Sequence, residues 1–511
     1  MTADSGTSDS PPATAAPAKS VGHRLASGLA WSSIGAFGWR ALTAISSVMV
    51  ARFLTPAGFG ELGVVRSTAN LFTVYAGFRL GTTATKHLAE YKDTEPERAG
   101  RILRMALVMS AVFCALTAAV LILGGGWLAV HQLNNPDIAW PLRISGVFLF
   151  FQAYSSVRET ILIGVEDFKA FARVNVVKGA LTALLTVPGA WFWGVIGASA
   201  GLALSAFLTY LVLQFYVKRA LDAYAIDENQ PFSAWKSELP LLWTFALPGI
   251  LVGVVSATTL WWGRTVLTGT PDGYVQLGLF EAANQWRTMI LFLPAILARV
   301  SMPVLSETFG RPDKEDFRAA VVLQFRAMLL ITLPLTVVVI AAADLLMIVF
   351  GRAYADSGMI LPLLMVSVFA FALNQALRKV QDGTGKIWEN FAMQVAWAVA
   401  FVVVLLVPAG PVDAVRLAWA FLASELVMAL LQFIYVEVSL ARGTLVKMLP
   451  DVAVSAVAIA VAVYANSSHL GLWQHVLLSF VALAISIVPA ALIGQGFIRA
   501  QLARRRKRAN T

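Results

Sequence analysis

The sequence predicts an all-α polytopic membrane protein of about 14 transmembrane helices, built as two pseudo-symmetric six-helix lobes plus two C-terminal helices. Three observations carry this: the length of the apolar blocks, the alternation of charge between their connections, and a passage written twice. Hydrophobic residues make up 58% of the 511 residues and charged residues only 13%, against roughly 25% charged in an ordinary soluble domain. The apolar residues come in uninterrupted runs such as "ALVMSAVFCALTAAVLILGGGWLAV" (Ala106–Val130) and "VLLSFVALAISIVPAALIGQGF" (Val476–Phe497). A bilayer-spanning helix needs about 20 such residues.

Blocks of this kind centre near Trp39, Tyr75, Thr117, Gln152, Leu184, Ala206, Val252, Phe292, Thr336, Phe369, Ala400, Ala423, Ala456 and Ile485. Before them stands "MTADSGTSDSPPATAAPAKS", too polar to build a core. It lacks the basic start and early apolar run of a cleaved signal, so the first block is expected to remain as a span. Arginine and lysine gather in alternate connections: Lys86 to Arg104, Lys169 and Arg173, Lys218 and Arg219, Arg311 to Arg318, Arg378 to Lys386, Arg442 and Lys447, and "RRRKR" at Arg504–Arg508. The opposite loops hold Arg52, Arg143, Arg264, Arg352 and Arg416, a ratio of roughly 26 to 5. Both termini are therefore expected in the cytoplasm. The net charge of +10 is read as topology determinants that also touch anionic lipid head groups, and no soluble segment offers a nucleic-acid groove.

The doubled passage is "TPAGFGELGVVRSTAN" (Thr55–Asn70) and "TPDGYVQLGLFEAANQ" (Thr270–Gln285); both read Thr-Pro-x-Gly-aromatic-x-x-Leu-Gly, then two apolar residues, then a charge, Arg66 in one and Glu281 in the other. The likeness continues in the charged connections after it and in "PLRISGVFLFFQAYSSVRETILIGVEDF" against "PLLMVSVFAFALNQALRKVQDGTGKIWE". The expected organisation is a disordered tail at 1–22, a first lobe at 23–220, a linker at 221–238, a second lobe at 239–441, two extra helices at 442–498 and a basic tail at 499–511. Six spans is an even number, so both lobes enter the membrane alike, related by an axis along the membrane normal with a cavity between them. That axis would set Arg66 and Glu281 at equal depth on opposite walls, as an external gate that an anionic cargo competes for. The alternative is that each charge is satisfied within its own lobe.

Chemistry of other kinds finds little support. Cys114 is the single cysteine; the histidines, His23, His87, His131, His469 and His475, lack metal-ligand spacing; no phosphate-binding loop of the Walker form occurs. No cofactor, metal or catalytic residue is expected. Gly197 and Gly201, like Gly249 and Gly253, have the spacing that lets helices approach closely. Cations lie at membrane depth: Arg40, Arg66, Arg79, Lys178 and Arg287, with Glu159, Glu281 and Glu425 as their candidate acidic partners. Such residues persist where they face protein or a wet cavity.

The run "RFLTPAGFG" (Arg52–Gly60) resembles the first-loop signature of Wzx-type oligosaccharide and polysaccharide flippases, members of the multidrug/oligosaccharidyl-lipid/polysaccharide exporter superfamily. "LPGILVG" (Leu247–Gly253), "LPAILARVSMPVLSE" (Leu293–Glu307) and the twin six-helix organisation are similar too, and the likeness covers Leu25–Phe497. The resemblance implies that spans one, two, seven and eight line a central cavity, in which Arg40, Arg79 and Arg287 would contact the diphosphate of a polyprenyl-linked oligosaccharide. Guanidinium forks suit phosphate oxygens. It implies as partners the lipid-linked oligosaccharide, membrane lipids, a polysaccharide polymerase and a coupling ion, proton or sodium, in the plasma (inner) membrane. A drug or cation antiporter and a lipid II flippase stay open as alternatives, and a membrane polysaccharide ligase is the alternative from another class.

Overall fold

A computed structural model of the protein describes residues 21–77, 80–231, 241–294, 314–355, 357–384, 387–440, 442–468, 471 and 473–487. The expected N-terminal tail up to residue 20, the basic tail, the linker beyond residue 231 and the stretch 295–313 lie outside the described residues. Among the described residues the elements are helical and none is a strand. The first half holds α1 (Val21–Gly77), α2 (Leu80–Tyr91), α3 (Pro96–His131), α4 (Ala139–Gly164) and α5 (Phe168–Ala223). The second holds α6 (Leu241–Thr268), α7 (Gly273–Ile290), α8 (Lys314–Ala341), α9 (Ala343–Ile348), α10 (Ile360–Thr384), α11 (Ile387–Leu406) and α12 (Ala414–Tyr435). Then follow α13 (Thr444–Ser467) and a shorter apolar helix, Trp473–Ile487.

Eight of the described helices are long and apolar enough to cross a membrane. Two of them are far longer than one crossing requires, and both break. Helix α1 breaks at Thr55 (φ 61, ψ 165), just before Pro56. Proline disfavours helical geometry in the residue before it. The two halves then run back along each other, so that Thr43, Ser46 and Val50 surround a small hollow with Arg66, Leu62 and Phe59. Helix α5 breaks at Trp193 and Gly194 (φ 59) and folds back as closely. A Cβ on Gly197 would lie 2.0 Å from the Gly189 carbonyl oxygen, and one on Gly201 would lie 2.4 Å from that of Leu185. The expected small-residue spacing thus works inside a helical hairpin, and α1 and α5 each contain two of the apolar blocks.

Large apolar side chains point outward all round the molecule, among them Leu123, Leu184 and Phe215, each more than 60% exposed. In lipid such a surface is the stable one, because helices satisfy their own backbone and hydrocarbon accepts the side chains. The end of the molecule carrying the two breaks is called the kink end below, and the other, from which the chain crosses between halves, the linker end. At the linker end buried Arg158 donates to Glu228 at 3.0 Å, and Lys92 reaches Glu166 at 3.2 Å while lying over the Tyr224 ring. These contacts fix the first residues of the linker to the first half. Glu159, one of the candidate acidic partners, pairs with Lys178 at 3.1 Å. Helix α13 is tied to α8 by Arg326 and Asp451 at 2.8 Å.

Candidate functional site

The two copies of the doubled passage meet each other. Gly278, in the second copy, lies so close to α1 that a Cβ there would be 1.9 Å from the Pro56 carbonyl oxygen; a Cβ on Gly60 would be 2.0 Å from that of Tyr274. Backbone therefore touches backbone at the kink end, and glycine is what permits it. The same seam is closed by Tyr354, whose buried hydroxyl donates to the Ala51 carbonyl at 3.1 Å, and by Phe59 against the rings of Phe350 and Tyr354. Arg52 donates from Nε to the Val349 carbonyl at 2.9 Å. Further along, Trp261 Nε1 donates to Thr68 at 2.9 Å and Tyr75 shares a hydrogen bond with Thr258 at 2.8 Å. The second leg of α1 thus runs beside α6.

Beyond the glycines the helices part around a cavity of about 310 Å³, lined by residues of both legs of α1, of α6 and of α7. Its charged lining is Arg40, Arg66, Arg264 and Glu281, and its polar lining includes Asn70, Asn284 and Gln285. Three cations face one carboxylate. The cavity belongs to the doubled passage for a geometric reason. Glu281 follows seam glycine Gly278 by one turn and Arg66 follows Gly60 by nearly two, and where these long charged side chains stand the helices part.

Glu281 is held within its own half. Its Oε1 accepts from Arg264 Nε at 2.6 Å, and Asn284 donates to its Oε2 at 3.3 Å. Arg264 also donates to the Leu260 carbonyl, which closes its fork on the cavity wall. Arg66 lies in the same cavity and makes no hydrogen bond or ion pair with a described residue. Arg40 reaches across the halves to the Thr288 carbonyl at 3.3 Å and lies over the Phe292 ring at 4.8 Å.

The remaining expected contacts fall elsewhere. Arg79 lies outside the described residues. Arg287, though on α7, is not part of the cavity lining; its guanidinium lies over Phe421 at 5.3 Å and Phe371 at 5.7 Å, inside the second half. Nearby, buried Glu425 accepts from Asn374 at 2.7 Å and Trp397 at 3.2 Å. Arg264, counted in the sequence among external loop residues, is instead a cavity residue, 8% exposed and inside α6. The signal was present: "GTPDG" begins only five residues later, which leaves Arg264 one turn inside the helix. Among the described residues there is no group of three histidine, cysteine, aspartate or glutamate side chains able to hold a metal ion.

Known proteins agree with this architecture. The EPS I polysaccharide export inner membrane protein EpsE of Ralstonia nicotianae is 26% identical over 363 residues, 70% of this chain and 80% of that one. The succinoglycan biosynthesis transport protein ExoT of Rhizobium meliloti is 22% identical over 66% of this chain and 65% of its own. Among solved structures, an inward-facing multidrug resistance MATE family transporter of the MOP superfamily superposes with a TM-score of 0.69 at 16% identity, covering 80% of this chain and 96% of that one. The lipid II flippase MurJ in an inward closed conformation gives 0.68 at 13% identity, covering 91% and 99%. These two likenesses carry the fold. Residues 25–309, more than half of the chain, match the model of the family described as polysaccharide biosynthesis protein. The chain therefore belongs to the polysaccharide biosynthesis protein family.

Proposed function

We propose that the protein moves a polyprenyl-diphosphate-linked oligosaccharide from the cytoplasmic to the outer leaflet of the inner membrane by alternating access through the cavity between its halves. The observation that carries this reading is the charge of the cavity, three arginines against one carboxylate, at a depth where charge is otherwise expelled. The lipid tail can remain in hydrocarbon; the diphosphate needs fixed cations, and guanidiniums bind phosphate oxygens in pairs. Arg40 and Arg66 are the proposed diphosphate contacts. Arg264 would hold Glu281 aside until cargo arrives. Arg287 is reassigned to the interior of the second half, where leaving its two rings would be a precondition for touching cargo.

The gate follows from the same geometry. Glu281 shares its cavity with three arginines and pairs with Arg264. A loaded diphosphate would take Arg66; an emptied cavity would free Arg66 to draw Glu281 across as the halves close. In this reading both termini lie in the cytoplasm, a polymerase consumes the flipped unit, and a proton or sodium gradient drives the return. A drug or cation antiporter would be expected to carry the opposite charge balance in its cavity.

The test is deletion of the gene, followed by assay of lipid-linked oligosaccharide on each side of the inner membrane. Accumulation on the cytoplasmic side supports the reading. Unchanged lipid-linked oligosaccharide with lost resistance to cationic drugs would replace it with the antiporter.

A further inference from the structure

A second cationic place lies at the kink end, apart from the cavity. Only a few arginines belong to the charge-poor connections of this end, yet two of them, Arg52 of the first half and Arg352 of the second, line one groove of about 520 Å³ across the seam. No acidic side chain is among its lining residues. Its floor is rigid, since Tyr354 holds Ala51 by a buried hydrogen bond and Arg52 Nε holds the Val349 carbonyl. The terminal nitrogens of Arg52 make no hydrogen bond with a described residue, and the exposed side chain of Arg352 makes no hydrogen bond or ion pair with one.

The surroundings fix the height of this groove relative to lipid. Phe53, next to Arg52, meets the Trp191 ring edge to face at 4.5 Å, and Trp191, Phe192 and Trp193 are 62%, 68% and 71% exposed. On the other side α9 presents Leu345 and Ile348 outward. Exposed tryptophans beside apolar side chains mark the boundary between hydrocarbon and head groups. At that level the anions within reach of an arginine are phosphates.

We propose that this groove binds a phosphate-bearing head group between Arg52 and Arg352, and that occupancy clasps the two halves together at the kink end. The shared chemistry is a phosphate oxygen pair facing a guanidinium fork. Its source is either the phosphodiester of a resident anionic lipid or the diphosphate of a carrier lipid. The proposal does not depend on what the central cavity carries.

The experiment uses the full-length chain with Cys114→Ala and Leu345→Cys, the new thiol bearing an environment-sensitive fluorophore, in phosphatidylcholine nanodiscs. Inorganic pyrophosphate is titrated in one arm; in the other, phosphatidylglycerol replaces part of the phosphatidylcholine. A saturable signal in either arm, weakened at least tenfold by Arg352→Gln and untouched by Arg66→Gln, is the expected result. A response to phosphatidylglycerol alone assigns the site to resident lipid; a response to pyrophosphate assigns it to the diphosphate group. Arg352 is exposed and unpaired among the described residues, so its replacement should leave the melting temperature unchanged. Absence of a saturable signal in both arms overturns the proposal. So does a signal that survives Arg352→Gln, or one that sodium chloride reproduces at equal ionic strength.

Discussion

The seam and the cavity are made by the same helices, α1 and α7, within about two turns of each other, and they behave oppositely. At the seam Gly60 and Gly278 let backbone meet backbone; at the cavity Arg66 and Glu281 hold the same helices apart. One contact depends on having no side chain and the other on having a long charged one. The two copies supply these contacts from different positions: Gly60 aligns with Val275, while Gly63, the counterpart of Gly278, lies against the Glu281 side chain. The swap of arginine for glutamate spares the cavity a pair of opposed like charges and leaves the excess of positive charge to Arg40 and to the balance between Arg66 and Arg264.

The largest expected effect comes from filling the seam. Gly278→Leu places carbon where the Pro56 carbonyl stands, so the halves must separate at the kink end. Transport should be abolished, and spin labels on exposed Leu345 and Trp193, once each is replaced by cysteine, should report a longer distance between halves. An unchanged distance with full transport would show that the seam is not a necessary contact.

Next is the cavity wall. Arg264→Gln leaves Glu281 as a largely buried carboxylate without its 2.6 Å partner. Breaking a buried pair from one side costs about 3–5 kcal/mol, and the wet side of this cavity argues for the lower part of that range. Thermal unfolding in detergent should show the loss, and adding Glu281→Gln should recover most of it. Failure of the double variant to recover would mean that Arg264 acts through the Leu260 carbonyl rather than through charge.

Smaller effects separate strain from contact at the kink end. Thr55 holds a positive φ that a β-branched residue adopts at a cost. Thr55→Gly should therefore stabilise the protein by about 1 kcal/mol once the entropy of glycine is counted. Tyr354→Phe removes the buried bond to Ala51 and should cost about 1 kcal/mol. Melting curves for the two variants should move in opposite directions; movement in the same direction would contradict the assignment of strain to Thr55.

Much of the fold was legible because a membrane helix declares itself by length and apolarity alone, and the hairpins of α1 and α5 fall where two apolar blocks meet a Pro or Gly. The repeat was legible in its letters, and it turned out to mark a contact rather than only an ancestry. The helical setting of Arg40, Arg66 and Arg287 was legible too, since all three sit within apolar blocks. Direction was not. In a helix apolar on every face, nothing in the sequence says which side looks into a cavity and which into a lobe, so Arg287 and Arg66 read alike although one lies against two phenyl rings and the other lines the cavity. Pairings across long stretches of chain, such as Arg158 with Glu228, were equally silent, because the nearer Glu159 competes for attention without competing in space.

The most direct measurement of the central claim is flipping in proteoliposomes of a fluorescent polyprenyl-diphosphate oligosaccharide beside an uncharged analogue of the same sugar and tail. A cavity that works by its arginines should move the diphosphate form at least tenfold faster, and Arg40→Gln with Arg66→Gln should erase that preference. Equal rates for both lipids, unaffected by the two substitutions, would contradict it.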